Sequence, residues 1–244
     1  MPTPPHFRQL AAAIKDCGFV VRGGFHARPD DELPVGVHST VLVGTTGACG
    51  FAQFRHSPEW GMVSDPMDRY AERVIGAVAR EFGARVVFPQ QGPPWWPFQR
   101  WASRAESVYP SPLQILIDPQ HGLWHAYRAA LMFDSALLGL PVSGTALQAN
   151  PCLQCASRPC LSACPVDAFD EHGFDRTKCA RHLQSPAGQG CLDKGCAARN
   201  ACPVAPRNHY SVEQKQFHMQ AFLASMPTCA AAVAAPKTIR PKPR

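Results

Sequence analysis

The chain has no run of about 20 apolar residues, the length a helix needs to cross a bilayer. Asp134 interrupts the best candidate, Ala129 to Leu140. Its first ten residues, MPTPPHFRQL, hold no basic stretch followed by an apolar segment and a small-residue cleavage site. No secretory signal is therefore expected, and the expected location is cytoplasmic. Lys and Arg form no long run despite a formal charge of +6, which argues against nucleic acid as a partner. The glycine-rich segment from Gly44 to Gly50, GTTGACG, lacks the Gly-Lys-Ser/Thr ending of a phosphate loop and reads as a turn after an apolar strand. Covalent haem lacks its motif, since Ala156 rather than His follows Cys152-x2-Cys155. No Ser-His-Asp arrangement and no repeat of solenoid length can be assigned.

Sulfur, in contrast, is abundant. Of 11 cysteines, eight lie between residues 152 and 202, while Cys17, Cys49 and Cys229 stand apart and read as ordinary thiols. In a chain without an export signal, that density points to metal or redox chemistry rather than disulfides. The first group runs Cys152-x2-Cys155-x4-Cys160-x3-Cys164-Pro165. A bacterial ferredoxin run is C-x2-C-x2-C-x3-C-P, with its fourth cysteine reaching to the other cluster. Here the second gap is two residues longer. Downstream come Cys179 and then Cys191-x4-Cys196-x5-Cys202-Pro203, closed by a second Cys-Pro.

The paired closures suggest exchanged ligands. Cys152, Cys155, Cys160 and Cys202 would hold one 4Fe-4S cluster, and Cys164, Cys179, Cys191 and Cys196 the other. Structural zinc also uses C-x2-C pairs and remains the alternative, although zinc ribbons need no paired Cys-Pro. His121, His125 and His182 are further candidate ligands, against the commoner role of a hydrogen-bonding or surface histidine. Eight thiolates around two cores of about +2 each would bring the formal charge from +6 to about +2, so most of the basicity reads as compensation.

The rest of the chain carries mixed α and β signals. Residues 6–16 read as a helix ending near Gly18, and 19–21 and 40–44 as strands. A helix over 66–82 starts at Asp65 as cap, with Pro66 at the first position and Asp68 facing free amides. Segments 85–88 and 113–117 read as buried strands, separated by QQGPPWWPFQRW, a packed loop or a pocket lip. Residues 124–133 suit a strand, with a composition that also permits a helix. Residues 211–225 read as a helix with Ser211 and Gln214 at capping-box spacing, and the final PKTIRPKPR as a disordered tail.

Two resemblances follow from these segments. HGLWHAYRAALMFDSALLGLP, NPCLQC, CLSACPVDAF and DRTKCARHL make residues 121–202 resemble the epoxyqueuosine reductases and reductive dehalogenases. In those families a corrinoid-binding, nitroreductase-like domain precedes a two-cluster ferredoxin module. CGFVV, ELP, MVSDPMDRYAERVIGAV and IDPQHGLWHAYRA make the first 133 residues resemble the CblC-type cobalamin-processing proteins, and YSVEQKQF resembles that family's end segment. The resemblance implies cobalamin as a ligand and a glutathione-binding role for Arg128, beside its plain reading as a satisfied strand arginine.

The expected architecture is α+β. It comprises a nitroreductase-like domain over 1–148, a ferredoxin-like module with two [4Fe-4S] clusters over 149–209, a C-terminal helix over 210–226 and a tail over 227–244. The expected function is low-potential electron transfer from a donor protein through the clusters to cobalamin. The alternatives are an electron carrier with no small cofactor in its first domain and a flavin-dependent reductase.

Overall fold

The computed structural model describes residues 6–62, 64–141, 148–170 and 173–226. Helix α1 (Phe7–Asp16) opens on His6, whose Nδ1 accepts the Arg8 amide at 3.2 Å, and gives way at Gly18, φ +80°. Strands β1 (Val20–His26) and β2 (Ser39–Thr46) follow, then α2 (Phe51–Arg55), α3 (Pro66–Glu81) and β3 (Arg85–Val87). Next come α4 (Phe98–Ala105), the short pair β4 (Tyr109–Pro110) and β5 (Leu116–Ile117), and the long strand β6 (His125–Phe133). One antiparallel sheet runs β1-β2-β6-β3.

Both faces of that sheet are covered, which explains the unbroken apolar runs of β2 and β6. On one face Val41, Val43, Ala129 and Leu131 meet Leu10 and Ile14 of α1 and Ile75 and Val78 of α3. On the other, Phe25, Leu42, Ala130 and Met132 meet Phe98, Trp101 and Ala102 of α4. Each fully buried Val, Leu or Ile contributes about 1.5–3 kcal/mol to this sandwich. Gly44 sits where the β2–β6 register slips, and a Cβ there would lie 1.8 Å from the Ala126 carbonyl oxygen. Only glycine lets the two strands close at that point.

The cysteine-rich segment is built of short pieces: α5 (Pro159–Ser162), the hairpin β7 (Phe169–Asp170) and β8 (Gly173–Phe174), α6 (Arg176–Leu183), α7 (Gln189–Lys194) and α8 (Ala197–Asn200). Its seam with the sheet is apolar, joining Leu113, Ile117 and Leu123 to Cys160, Ala198 and Cys202. Helix α9 (Val212–Ala224) then packs on α7 and sends Phe217 back among Phe51, Phe54 and Trp60, with ring centroids 5.2–5.9 Å apart. Among the described residues no helix is long and apolar enough to cross a membrane.

Several expectations are corrected. Asp65 stands at the N-cap of α3 with Pro66 next, but its backbone is left-handed at φ 51° and its side chain accepts no capping bond. Asp68 turns instead to Arg128, with Arg128 Nη1 donating to Oδ1 at 3.1 Å. The strand over 113–117 shrinks to Leu116–Ile117, because Gln114 takes φ 60°. The capping box of α9 is one-sided: Ser211 Oγ accepts the Gln214 amide at 3.1 Å, while Gln214 Oε1 is buried without a partner among the described residues. The Trp/Pro segment divides, since Trp101 is fully buried on α4 while Trp95 is 69 % exposed. Residues 124–133 resolve as strand from His125. Cys229, the final PKTIRPKPR and the expected tail from 227 lie outside the described residues.

Candidate functional site

The eight clustered cysteines are all free thiols. Cys152 lies in a tight turn whose Asn150 Oδ1 accepts the Cys152 amide at 3.0 Å. Cys160 rides on α5 and Cys164 follows it, Cys179 sits on α6 and Cys191 on α7, and Cys196 and Cys202 flank α8. Helix α5 packs against α8, which brings buried Cys160 to buried Cys202.

Their mutual fields sort the sulfurs. The Cys152 thiol is pushed up by burial and then by Cys202, Cys160 and Cys155. Burial and then Cys202 and Cys155 raise Cys160. In the second neighbourhood Cys179 is driven to about 12 by burial and then by Cys196, Cys164 and Cys191. Cys196 is raised by burial, with backbone amides of Arg199 and Ala198 working to lower it and Cys191 and Cys164 to raise it. None of these fields crosses from one set of four to the other. The Ala168 amide donates to Cys164 Sγ at 3.3 Å, so peptide hydrogens are already aimed at sulfur. Among the described residues no group of three or more His, Cys, Asp or Glu side chains converges closely enough to hold a metal ion. The sets are neighbourhoods of thiols, not closed cages. Of the candidate histidines, only His182 stands at a thiol, with Nε2 3.9 Å from Cys191 Sγ. His121 turns to Asp118 at 2.9 Å, and His125 Nε2 reaches the Leu116 carbonyl at 3.0 Å.

A cleft of about 320 Å³ opens where β6, α8 and the start of α9 meet. His125, Ala126, Tyr127 and Arg128 supply one wall, Ile115 and Leu116 another, and Arg199, Tyr210 and His218 the rest. A second cleft of about 560 Å³ lies beyond Arg128 and His218, which line both. Arg128 is only partly satisfied, since its Nε is buried without a partner among the described residues. Arg199 clamps the seam: Nε and Nη2 both donate to the Leu123 carbonyl, and the guanidinium lies 4.5 Å over Trp124 and 4.7 Å over Tyr210. His218 is held near pKa 3 by burial and then by Arg128 and Arg199. His125 is held near 3 by burial and then by Arg22. Both rings are therefore neutral at physiological pH.

Behind Tyr127 lies a buried charge network. Tyr127 donates to Glu106 Oε1 at 2.5 Å, and Arg22 binds Glu106 through Nε at 3.0 Å and Asp118 through Nη2 at 2.6 Å. Burial raises the Glu106 carboxyl against the pull of Arg22. On Asp118 burial is outweighed by bonds from His121 and the Gln120 amide together with Arg22, which leaves its carboxyl far below the usual range. Sequence reasoning missed Arg22, Tyr127, Arg199, Tyr210 and His218. The signals available were Arg199 standing between two cysteines and YSVEQKQF standing out as a segment.

No protein-family model matches the chain, and no curated protein matches it in sequence. Solved structures do. The B12-trafficking protein CblC of C. elegans, a human MMACHC homologue, aligns over 89 % of this chain and 96 % of its own at 13 % identity, with a TM-score of 0.51. An epoxyqueuosine reductase in complex with a tRNA-Tyr stem loop covers 86 % of this chain and 68 % of its own at 13 % identity, TM-score 0.47. The epoxyqueuosine reductase of Bacillus subtilis gives the same coverage at 12 % identity, TM-score 0.46. The likeness to CblC shows a related mixed α+β fold.

Proposed function

We propose that the chain is an iron-sulfur protein that carries low-potential electrons through two 4Fe-4S clusters to a corrinoid in the cleft between β6, α8 and α9. The observation that carries this reading is placement. Eight free thiols fall into two electrostatic sets, and Arg199, between Cys196 and Cys202, is itself a wall of the cleft. Cys152, Cys155, Cys160 and Cys202 would hold one cluster, and Cys164, Cys179, Cys191 and Cys196 the other. The donor set fits: the thiols are soft and partly buried, burial and then neighbouring sulfurs raise Cys152, Cys160 and Cys179, and a peptide N–H reaches Cys164. A cationic core would relieve that repulsion and draw each set closed, since metal binding and local folding are coupled.

When bound, the iron-sulfur cores supply one-electron transfer at low potential, and the corrinoid supplies a cobalt centre that accepts it. The residues of the chain hold and shield. Ile115, Leu116, Ala126 and Tyr127 give the cleft its apolar surface, His125 and His218 remain neutral beside it, and Trp124 under Arg199 fixes the seam to the thiols. The fold shared with a B12-trafficking protein supports a corrinoid over flavin. Reductive processing of that corrinoid, such as loss of its upper ligand, or a corrinoid-dependent reduction is the activity proposed, with a separate donor protein supplying electrons.

The test is oxygen-free purification, iron and sulfide analysis, and titration with cob(II)alamin followed by absorption and electron spin resonance. About eight irons per chain with a perturbed cobalt signal at stoichiometric ligand is the expected result. Eight irons with no cobalt response would leave an electron carrier, and bound flavin would make the cleft a flavin site. Zinc in place of iron would overturn the reading.

A further inference from the structure

Two arginines, Arg128 and Arg199, line the 320 Å³ cleft. Among the described residues the Arg199 guanidinium donates to a neutral acceptor, the Leu123 carbonyl. Lys215 Nζ stands 4.9 Å over the Trp124 ring that Arg199 also covers. Among the described residues no carboxylate lies within ion-pair distance of either. Arg128 has one counter-ion, Asp68, at 3.1 Å, and a buried Nε with none. Burial and then Arg199 push Lys215 downward, the mark of like charges held together. Two guanidinium groups on different walls of one cleft form a receptor for an oxyanion, since arginine offers planar, paired donors to phosphate or carboxylate. Beside them the lining mixes apolar Ile115, Leu116 and Ala126 with Gln99, two tyrosines and two histidines, which suits a molecule with both apolar and polar surface.

We infer that Arg128 and Arg199 together bind a phosphate ester, and that the cleft selects a complete corrinoid through the phosphodiester of its nucleotide loop. This inference rests on the reading of the cleft as a corrinoid site. A flavin mononucleotide phosphate presents the same chemistry, and the experiment separates the two sources.

The cluster-loaded chain is titrated with cobalamin and with cobinamide, which lacks the nucleotide loop, and in parallel with flavin mononucleotide and riboflavin. Wild type is expected to prefer cobalamin over cobinamide by about tenfold or more, as one charge-assisted contact warrants. Arg199→Gln should erase most of that preference, lowering cobalamin affinity more than cobinamide affinity. Arg199→Lys should retain part of it. Asp68→Asn, which removes the competing carboxylate from Arg128, should widen it by about 2- to 5-fold. Inorganic phosphate should compete with cobalamin and not with cobinamide.

The Asp68 variant keeps the test decisive if Arg199→Gln disturbs the seam, because its predicted change has the opposite sign. Equal affinity for the two corrinoids in wild type, or a preference untouched by Arg199→Gln in a folded protein, overturns the inference while the corrinoid reading stands. Discrimination between the flavins with no corrinoid binding would instead overturn the corrinoid reading and keep the anion site.

Discussion

Cys196 and Cys202 flank the single turn of α8, six residues apart in sequence, yet their thiols answer to different neighbours. Cys202 acts on Cys152 and Cys160, whereas Cys196 acts on Cys179. A four-residue helix spans about 6 Å, enough to aim its two flanks at separate centres. Paired substitutions turn this into a count. If each set holds four irons, Cys155→Ala or Cys202→Ala should each remove about four of eight, and the Cys155/Cys202 double variant should remove no more than either alone. The Cys196/Cys202 double variant should remove all eight. A simple split along the chain, with Cys152 to Cys164 on one cluster and Cys179 to Cys202 on the other, reverses both results. The assay is iron and acid-labile sulfide per chain on anaerobically reconstituted protein, with the spin count of the reduced state as a second readout. Loss of eight irons in Cys155/Cys202 and four in Cys196/Cys202 would refute the sorting by mutual field.

Three further outcomes are expected. Arg22→Met leaves Glu106 and Asp118 without their buried cation and should cost about 3–5 kcal/mol in chemical unfolding; adding Glu106→Gln and Asp118→Asn should recover much of it, and no recovery would show that packing rather than charge was lost. Gly44→Ala drives a Cβ to 1.8 Å from the Ala126 carbonyl and should lower stability by ~3 kcal/mol or more, read from the thermal midpoint; an unchanged midpoint would mean that the two strands separate freely there. Glu59, bound by Arg73 through Nε at 2.5 Å and Nη2 at 2.9 Å, has its carboxyl held at about 2 by that bond. Its stabilisation is complete above the usual value near 4.5 and fades as pH falls toward 2, so Glu59→Gln should flatten the acid limb of a stability-pH curve between those limits; an identical acid limb would assign the loss to other carboxylates.

What could be read from the sequence was whatever is encoded locally. The apolar runs at 40–44 and 85–88 mark strands, and Met67, Tyr70, Ile75 and Val78 recur at helical spacing through α3. Composition alone left 124–133 open because a strand buried on both faces and a buried helix read alike; pairing with β2 and β3 on either side settles it as strand. Helix α4 escaped because prolines at 93, 94 and 97 read as a loop, while Phe98, Trp101, Ala102 and Ala105 repeat at helical spacing just beyond them. Asp65 and Asp68 look like cap and dipole partner on the bare helix, but tertiary demand from Arg128 takes Asp68 away. The cleft was beyond reach for the same reason. Arg128 comes from β6, Arg199 from the turn between two cysteines, and His218 from a helix that returns after the cysteine-rich segment. No window of sequence contains all three. What joins them is the seam of Leu113, Leu123 and Cys202, which presses α8 onto the end of β6 and makes Arg199 a neighbour of the thiols and of the cleft at once. A change that loosens that seam should therefore disturb cluster retention and cleft affinity together, whereas a change confined to Asp68 should move the cleft alone.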